Sequence, residues 1–188
     1  MIDIIKKYWS VYGGFTALFK SSYFYVAFLV ACILYPAWSK SGWWGDVLSL
    51  LPNLLGFSLG GLAILLAVGD DGFKKLIAGG SEGSKPSPYM EACTAFVHFI
   101  FLQILAILIA LLAKTYGVIL PKIFCKEALL LLSFFGYFIF IYSIFCTLAA
   151  VFAVFRVADW FDSYITEFNS MNKKKGEVKD ESKDERHH

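Results

Sequence analysis

The chain has 188 residues, is 58% hydrophobic and carries only 17% charged residues, with a formal net charge of +2 and a mean hydropathy of +0.63. An ordinary soluble domain is closer to half apolar and about a quarter charged, so the excess argues against one. A near-neutral balance gives no electrostatic footprint for nucleic acid.

The apolar residues are grouped in blocks, which predicts an all-α integral membrane protein with four transmembrane helices. Residues 2–19 read as an amphipathic helix, placing Ile5, Tyr8, Trp9, Tyr12, Phe15 and Phe19 on one period and Lys6 and Lys7 elsewhere. This suits a membrane–water interface, with Gly13 and Gly14 weakening the middle. Span one is expected over 23–38 behind Lys6, Lys7 and Lys20, as an uncleaved signal anchor. Trp38, Trp43 and Trp44 then form an interfacial aromatic belt. A ligand-binding use for Trp43 and Trp44 is the less favoured reading.

Span two, 47–69, holds Pro52 and an unusual set of small and polar residues. Asn53, Gly56, Gly60, Ala63 and Ala67 recur at steps of three and four and so share one helix face. Small residues let backbones approach closely, so this stripe is expected to pack on another helix, in this chain or in a second copy. Asp70 and Asp71 follow. At a helix C-terminus they are mildly unfavourable, and pairing with Lys74, Lys75 or Arg156, or docking a partner, would account for them. Residues 79–88 read as a Gly/Ser/Pro linker.

Span three, 92–112, contains His98 and Gln103. Polar groups at such depth are either functional or serve as interhelical glue. No carboxylate or amine lies firmly mid-span to complete a proton relay, so glue is the expectation. Span four, 128–155, carries a second small stripe of Ser133, Gly136, Ser143, Thr147 and Ala150. Its helical pattern continues past Arg156 through Trp160, Phe161 and Tyr164, predicting a helical extension over 157–168 that projects from the membrane. Arg156, Trp160, Phe161 and Tyr164, with Asp70 and Asp71, are the candidate partner-binding residues. The extension's apolar face is expected to pack on the chain's own 70–90 loop, on a second copy or on a cytoplasmic protein. Residues 169–188 are charged and read as a disordered tail, with Arg186, His187 and His188 resembling a tag remnant.

Cys32, Cys93, Cys125 and Cys146 show neither ligand nor disulfide spacing and are read as small packing residues. No catalytic signature, metal site or cofactor is expected, so the chain is read as not an enzyme. Of the 17 Lys and Arg, thirteen lie at the N-terminus, in the 70–90 loop or in the C-terminal region. Only Lys40, Lys114, Lys122 and Lys126 lie in the other links, which puts both termini in the cytoplasm.

The span arrangement and the stretch LPNLLGFSLGGLAILLAVGDDGF, residues 51–73, resemble small four-span bacterial membrane proteins of anti-phage defence, the Kiwa membrane subunit among them. The resemblance implies a homo-oligomer in the bacterial inner membrane that senses phage attack and docks a cytoplasmic DNA-binding partner. It transfers no site residue. From the residues themselves, the expectation is a homo-oligomeric scaffold or sensor, a tetramer as the working count. This chain would not itself contact nucleic acid. The alternative is a channel or pore lined by Asn53, Ser58, Ser133, Ser143 and Thr147.

Overall fold

Glycine pairs, prolines and a serine cap divide the apolar chain into helices of very unequal length. The computed structural model describes residues 2–67, 69, 71–79, 86–117, 119 and 124–184, with the side chains of 71, 76, 79 and 174–184 excepted. The helices are α1 (Ile2–Tyr12), α2 (Gly14–Lys20), α3 (Ser22–Ile33), α4 (Tyr35–Trp38), α5 (Trp44–Ala67), α6 (Asp71–Gly79), α7 (Pro88–Tyr116) and α8 (Lys126–Asp184). The protein is all-α.

Three helices, α5, α7 and α8, are long and apolar enough to cross a membrane. A fourth crossing exists if α2 and α3, bent by 59° at their junction, count as one span. The expected single span over 23–38 is therefore not one straight helix. Leu34 leaves helical geometry at φ −80°, ψ 20°, and Pro36 lies in the first turn of the short α4. Proline disfavours helical geometry in the residue before it and cannot donate to the preceding turn. The N-terminal helix is likewise split. Gly13 and Gly14 have φ of +93° and +63°, a conformation open to glycine but costly for other residues.

The long helices start earlier, or end later, than hydropathy alone indicates. α5 begins at Trp44 and carries Pro52 in its interior. The proline removes one backbone donor, and nearby polar side chains bond to carbonyls of the same stretch. Ser49 Oγ donates to the Asp46 carbonyl at 2.9 Å and Asn53 Nδ2 to that of Ser49 at 3.4 Å. α7 starts at Pro88 behind an N-cap in which Ser87 Oγ accepts from the Met90 amide at 3.3 Å.

The core is a seam among α5, α7 and α8, with α3 packed on α8. α7 contributes Ala92, Ala106 and Ala110, and α3 contributes Ala27 and Ala31, all buried. Small residues on these faces bring the backbones close, and aromatic rings fill what remains. Phe24 meets Phe138 edge-on at 5.2 Å and Phe28 meets Phe134 at 5.7 Å.

α8 is a single helix of 59 residues, about 88 Å at 1.5 Å per residue. That is nearly three times the roughly 30 Å hydrocarbon thickness. The extension beyond the span is thus present and runs further than 157–168. Residues 169–184, expected to be irregular, continue the helix. Extending an existing helix avoids the nucleation cost that keeps an isolated charged segment unfolded, and Lys and Glu are good helix formers. Residues 185–188, with the expected tag remnant, lie outside the described residues.

Candidate functional site

Two arrangements of polar and aromatic side chains concentrate whatever the bundle does beyond crossing a bilayer. The first is centred on His98. It lies ten residues into α7, about 15 Å along the helix axis, and is 5% exposed. Tyr8 of α1 lies 2.6 Å from His98 Nδ1 through its hydroxyl. The Tyr12 ring stacks on the imidazole with centroids 3.8 Å apart and planes 15° from parallel. Tyr142 of α8 approaches edge-on at 6.4 Å, with Tyr12 and Cys146 as neighbours of its hydroxyl. Burial, then the nearby Tyr12 and Cys146, pushes the Tyr8 hydroxyl up to about 12, so it keeps its proton under ordinary conditions. His98 Nε2 is buried and has no hydrogen-bond partner among the described residues.

His98 is thus bound by the N-terminal helix. The tyrosine face of α1, expected to lie at an interface, is packed onto α7 at the level of His98. Nothing in the period of α1 alone marks Tyr8 and Tyr12 as partners of a residue 90 positions away. A histidine within the apolar run of span three was the signal available.

Gln103, completely buried, donates from Nε2 to Thr147 Oγ1 at 2.9 Å, joining α7 to α8. Thr147 in turn donates to the Ser143 carbonyl at 2.9 Å. Gln103 Oε1 has no partner among the described residues. His98 and Gln103 each make one bond to another helix, as interhelical glue does, and each retains one unsatisfied atom.

The second arrangement is at the end of the bundle from which α8 projects. α6 packs on α7 and meets the extension of α8 through Phe73. Phe73, fully buried, meets Phe161 edge-on at 5.1 Å and Tyr164 at 5.7 Å. Of the three expected coverings for the apolar face of the extension, the chain's own segment after α5 supplies one. Gly69 makes this possible. Its φ is +88°, and a side chain there would collide with the Phe73 ring. Arg156, exposed, and Trp160 border a small crevice shared with Pro88 and Glu91 at the start of α7.

Asp70 lies outside the described residues. Asp71 is the first residue of α6, so it begins a helix and does not trail one. That is a favourable end of the dipole for a carboxylate. Its side chain, and hence the expected pairing with Lys74, Lys75 or Arg156, is outside the described residues.

The two small stripes have different surroundings. On α8, Gly136, Ser143 and Ala150 are buried, and Ser133 and Thr147 are half-buried. A Cβ on Gly136 would come 2.5 Å from Trp43 Cη2. On α5, Asn53, Gly56, Gly60, Ala63 and Ala67 are all exposed. Nothing lies within 4 Å of where a Cβ on Gly56 or Gly60 would be. The face that α5 packs inside the chain is instead Val47, Leu51, Ser58 and Leu65, and a Cβ on Gly61 would come 3.1 Å from the Phe96 ring.

The residues considered for a pore lining do not converge. Asn53 faces outward. Ser58 Oγ and Ser143 Oγ each donate to a carbonyl of their own helix at 2.7 Å. Ser133 Oγ accepts from Trp43 Nε1 at 3.2 Å. Among the described residues there is no group of three His, Cys, Asp or Glu placed to hold a metal. Of the four free cysteines, Cys146 is buried and Cys93 half-buried, whereas Cys32 and Cys125 are exposed and are not packing residues within this chain.

Comparison of the chain with protein-family models, curated proteins and solved structures gives no match. Its fold and packing are those of a multi-span α-helical membrane protein, with no catalytic or channel-lining arrangement among the described residues.

Proposed function

We propose that this chain is a non-enzymatic membrane scaffold and sensor, which self-associates in the bilayer and holds a cytoplasmic protein on its projecting helix. One observation carries the reading. α8 leaves the span without a break and continues to Asp184, well beyond Phe161 and Tyr164, where Phe73 of α6 meets it. A helix prolonged this far past its own packing offers a rigid surface to something outside the chain. Self-association is supported by the outward stripe on α5, because small residues and an amide facing lipid gain nothing there.

The setting that best suits this reading is the bacterial inner membrane with both termini cytoplasmic, as the lysine and arginine distribution favours. The resemblance of residues 51–73 to defence-associated membrane proteins makes phage attack the stimulus we assign. The test separates the two activities. Gly60→Leu places bulk where this chain has open space, so it should abolish self-association and leave insertion intact. Deleting residues 169–184 keeps the Phe73–Phe161 contact and should abolish recruitment of the cytoplasmic protein. Unchanged oligomer mass in the first, or unchanged recruitment in the second, refutes the corresponding half of the proposal.

A further inference from the structure

At the end of the bundle opposite the projecting helix, the α4–α5 link with Trp44, the end of α7 and the start of α8 line a cavity of about 490 Å³. That is within the range of small-molecule pockets, roughly 300–1,000 Å³. Its construction is specific. Trp43, the last residue of the α4–α5 link, and Trp44, the first of α5, both line it. Trp43 is inserted between α7 and α8, where a side chain on Gly136 would come 2.5 Å from its ring. Trp44 lies over Gly117, where a Cβ would come 2.8 Å from Cη2. Gly136 on α8 and Gly117, the residue that follows α7, therefore seat the two indoles.

The cavity is graded from polar to apolar. Lys40 and Lys126, with Ser39 and Ser41, lie at its mouth. Seven residues further along α8 is Ser133, already bonded to Trp43, and seven residues back along α7 from Tyr116 is Ile109. Seven residues of helix is about 10 Å of depth. Over that depth the wall is Ile109, Leu112, Leu129 and Leu130. Both lysines are exposed, and among the described residues neither has an ion pair. The acids nearest in sequence, Asp46 and Glu127, do not line the cavity. A cationic mouth over an apolar shaft, at the depth where tryptophans rim a bilayer, matches one ligand chemistry.

We propose that this cavity binds an anionic amphiphile, its headgroup on Lys40 and Lys126 and an acyl chain against the Trp43–Trp44 walls. The inference does not rest on the scaffold reading. A membrane phospholipid and a free fatty acid share the required chemistry.

The test uses the full chain in phosphatidylcholine nanodiscs, with indole quenching by dibrominated stearate, dibrominated phosphatidylglycerol and dibrominated phosphatidylcholine. The part of the quench lost in Trp44→Phe reports the cavity. It should saturate at low mole fraction of an anionic probe and rise only in proportion to mole fraction for phosphatidylcholine. Saturation by stearate alone identifies a free fatty acid as the ligand. Saturation by phosphatidylglycerol alone identifies a membrane lipid, and saturation by both identifies the shared chemistry. The double variant Lys40→Gln/Lys126→Gln alters only exposed side chains. It should raise half-saturation about ten- to thirtyfold, given the usual worth of a lysine at an anionic surface. Ala113→Phe, which narrows the shaft and leaves the lysines in place, should weaken the anionic probes as well. The proposal is overturned if the anionic probes quench no more steeply than phosphatidylcholine, or if the lysine variant leaves half-saturation unchanged.

Discussion

Replacing glycine by alanine at two positions should change stability in opposite directions, and the structure gives the sign of each. At Gly136 the new Cβ would come 2.5 Å from Trp43 Cη2, 3.0 Å from Cζ2 and 3.1 Å from Ile109 Cγ2. Carbon atoms in contact rest at about 3.5–4.0 Å, so the ring must move by about 1 Å. It has little freedom to do so. Trp43 is 5% exposed, its Nε1 donates to Ser133 at 3.2 Å, and Tyr137 is packed edge-on at 6.2 Å. Overpacking of this kind costs about 1–3 kcal/mol, and the helix preference of alanine over glycine returns up to about 1 kcal/mol. The expected net loss for Gly136→Ala is therefore about 1–2 kcal/mol. At Gly60 nothing lies within 4 Å, so Gly60→Ala keeps the helix-preference gain of about 0.5–1 kcal/mol in the dissociated chain. Reversible unfolding in mixed micelles, followed by indole fluorescence, reads both. A Gly136→Ala protein as stable as the parent would refute the seating of Trp43. A Gly60→Ala protein that is destabilised only in micelles preserving an oligomer would show that a second copy covers that face.

Tyr8→Phe should free α1 from α7, because it leaves both nitrogens of His98 buried and unbonded. The cost is about 1–3 kcal/mol, read as faster amide exchange over residues 2–12. The parent should show the same loosening in alkali. The Tyr8 hydroxyl is raised from 10.0 to about 12 in the folded chain, so the unfolded state releases its proton first. Folded stability then falls as pH climbs from 10 toward 12, and in Tyr8→Phe that slope should be shallower. Thr147→Val should cost more than Gln103→Leu. The valine leaves the whole buried amide of Gln103 without a side-chain partner, whereas the leucine removes that amide together with its already unpaired Oε1. The leucine change should stay within about 1 kcal/mol of the parent by thermal unfolding. Phe73→Ala should detach α6 from the extension of α8. Loss of a fully buried phenylalanine costs about 3–5 kcal/mol, far more than a nine-residue helix can hold by itself. Limited proteolysis within 71–79 is the readout, and cleavage unchanged from the parent would contradict the packing.

The sequence by itself determined the class of this protein and the course of its long helices. A backbone in a bilayer is satisfied only in a helix or a closed barrel, and continuous apolar runs of about 20 residues fit the helix, so α5, α7 and the span of α8 were legible from composition. The continuation of α8 past Arg156 was legible too, because the positions of Val157, Trp160, Phe161 and Tyr164 keep a helical period. Only the tertiary structure decided which side of each helix faces inward. Asn53, Gly56, Gly60, Ala63 and Ala67 share a face by periodicity, yet periodicity carries no information on what lies opposite, and in this chain that face is open. Gly136 gave the same local signal and is buried against an indole from the link before α5. The pairing of Tyr8 with His98 and the cavity between Lys40, Lys126 and the two tryptophans join segments roughly 80 to 90 residues apart. In a membrane bundle such pairings depend on how small residues let backbones approach, a property of two surfaces meeting and not of either one alone.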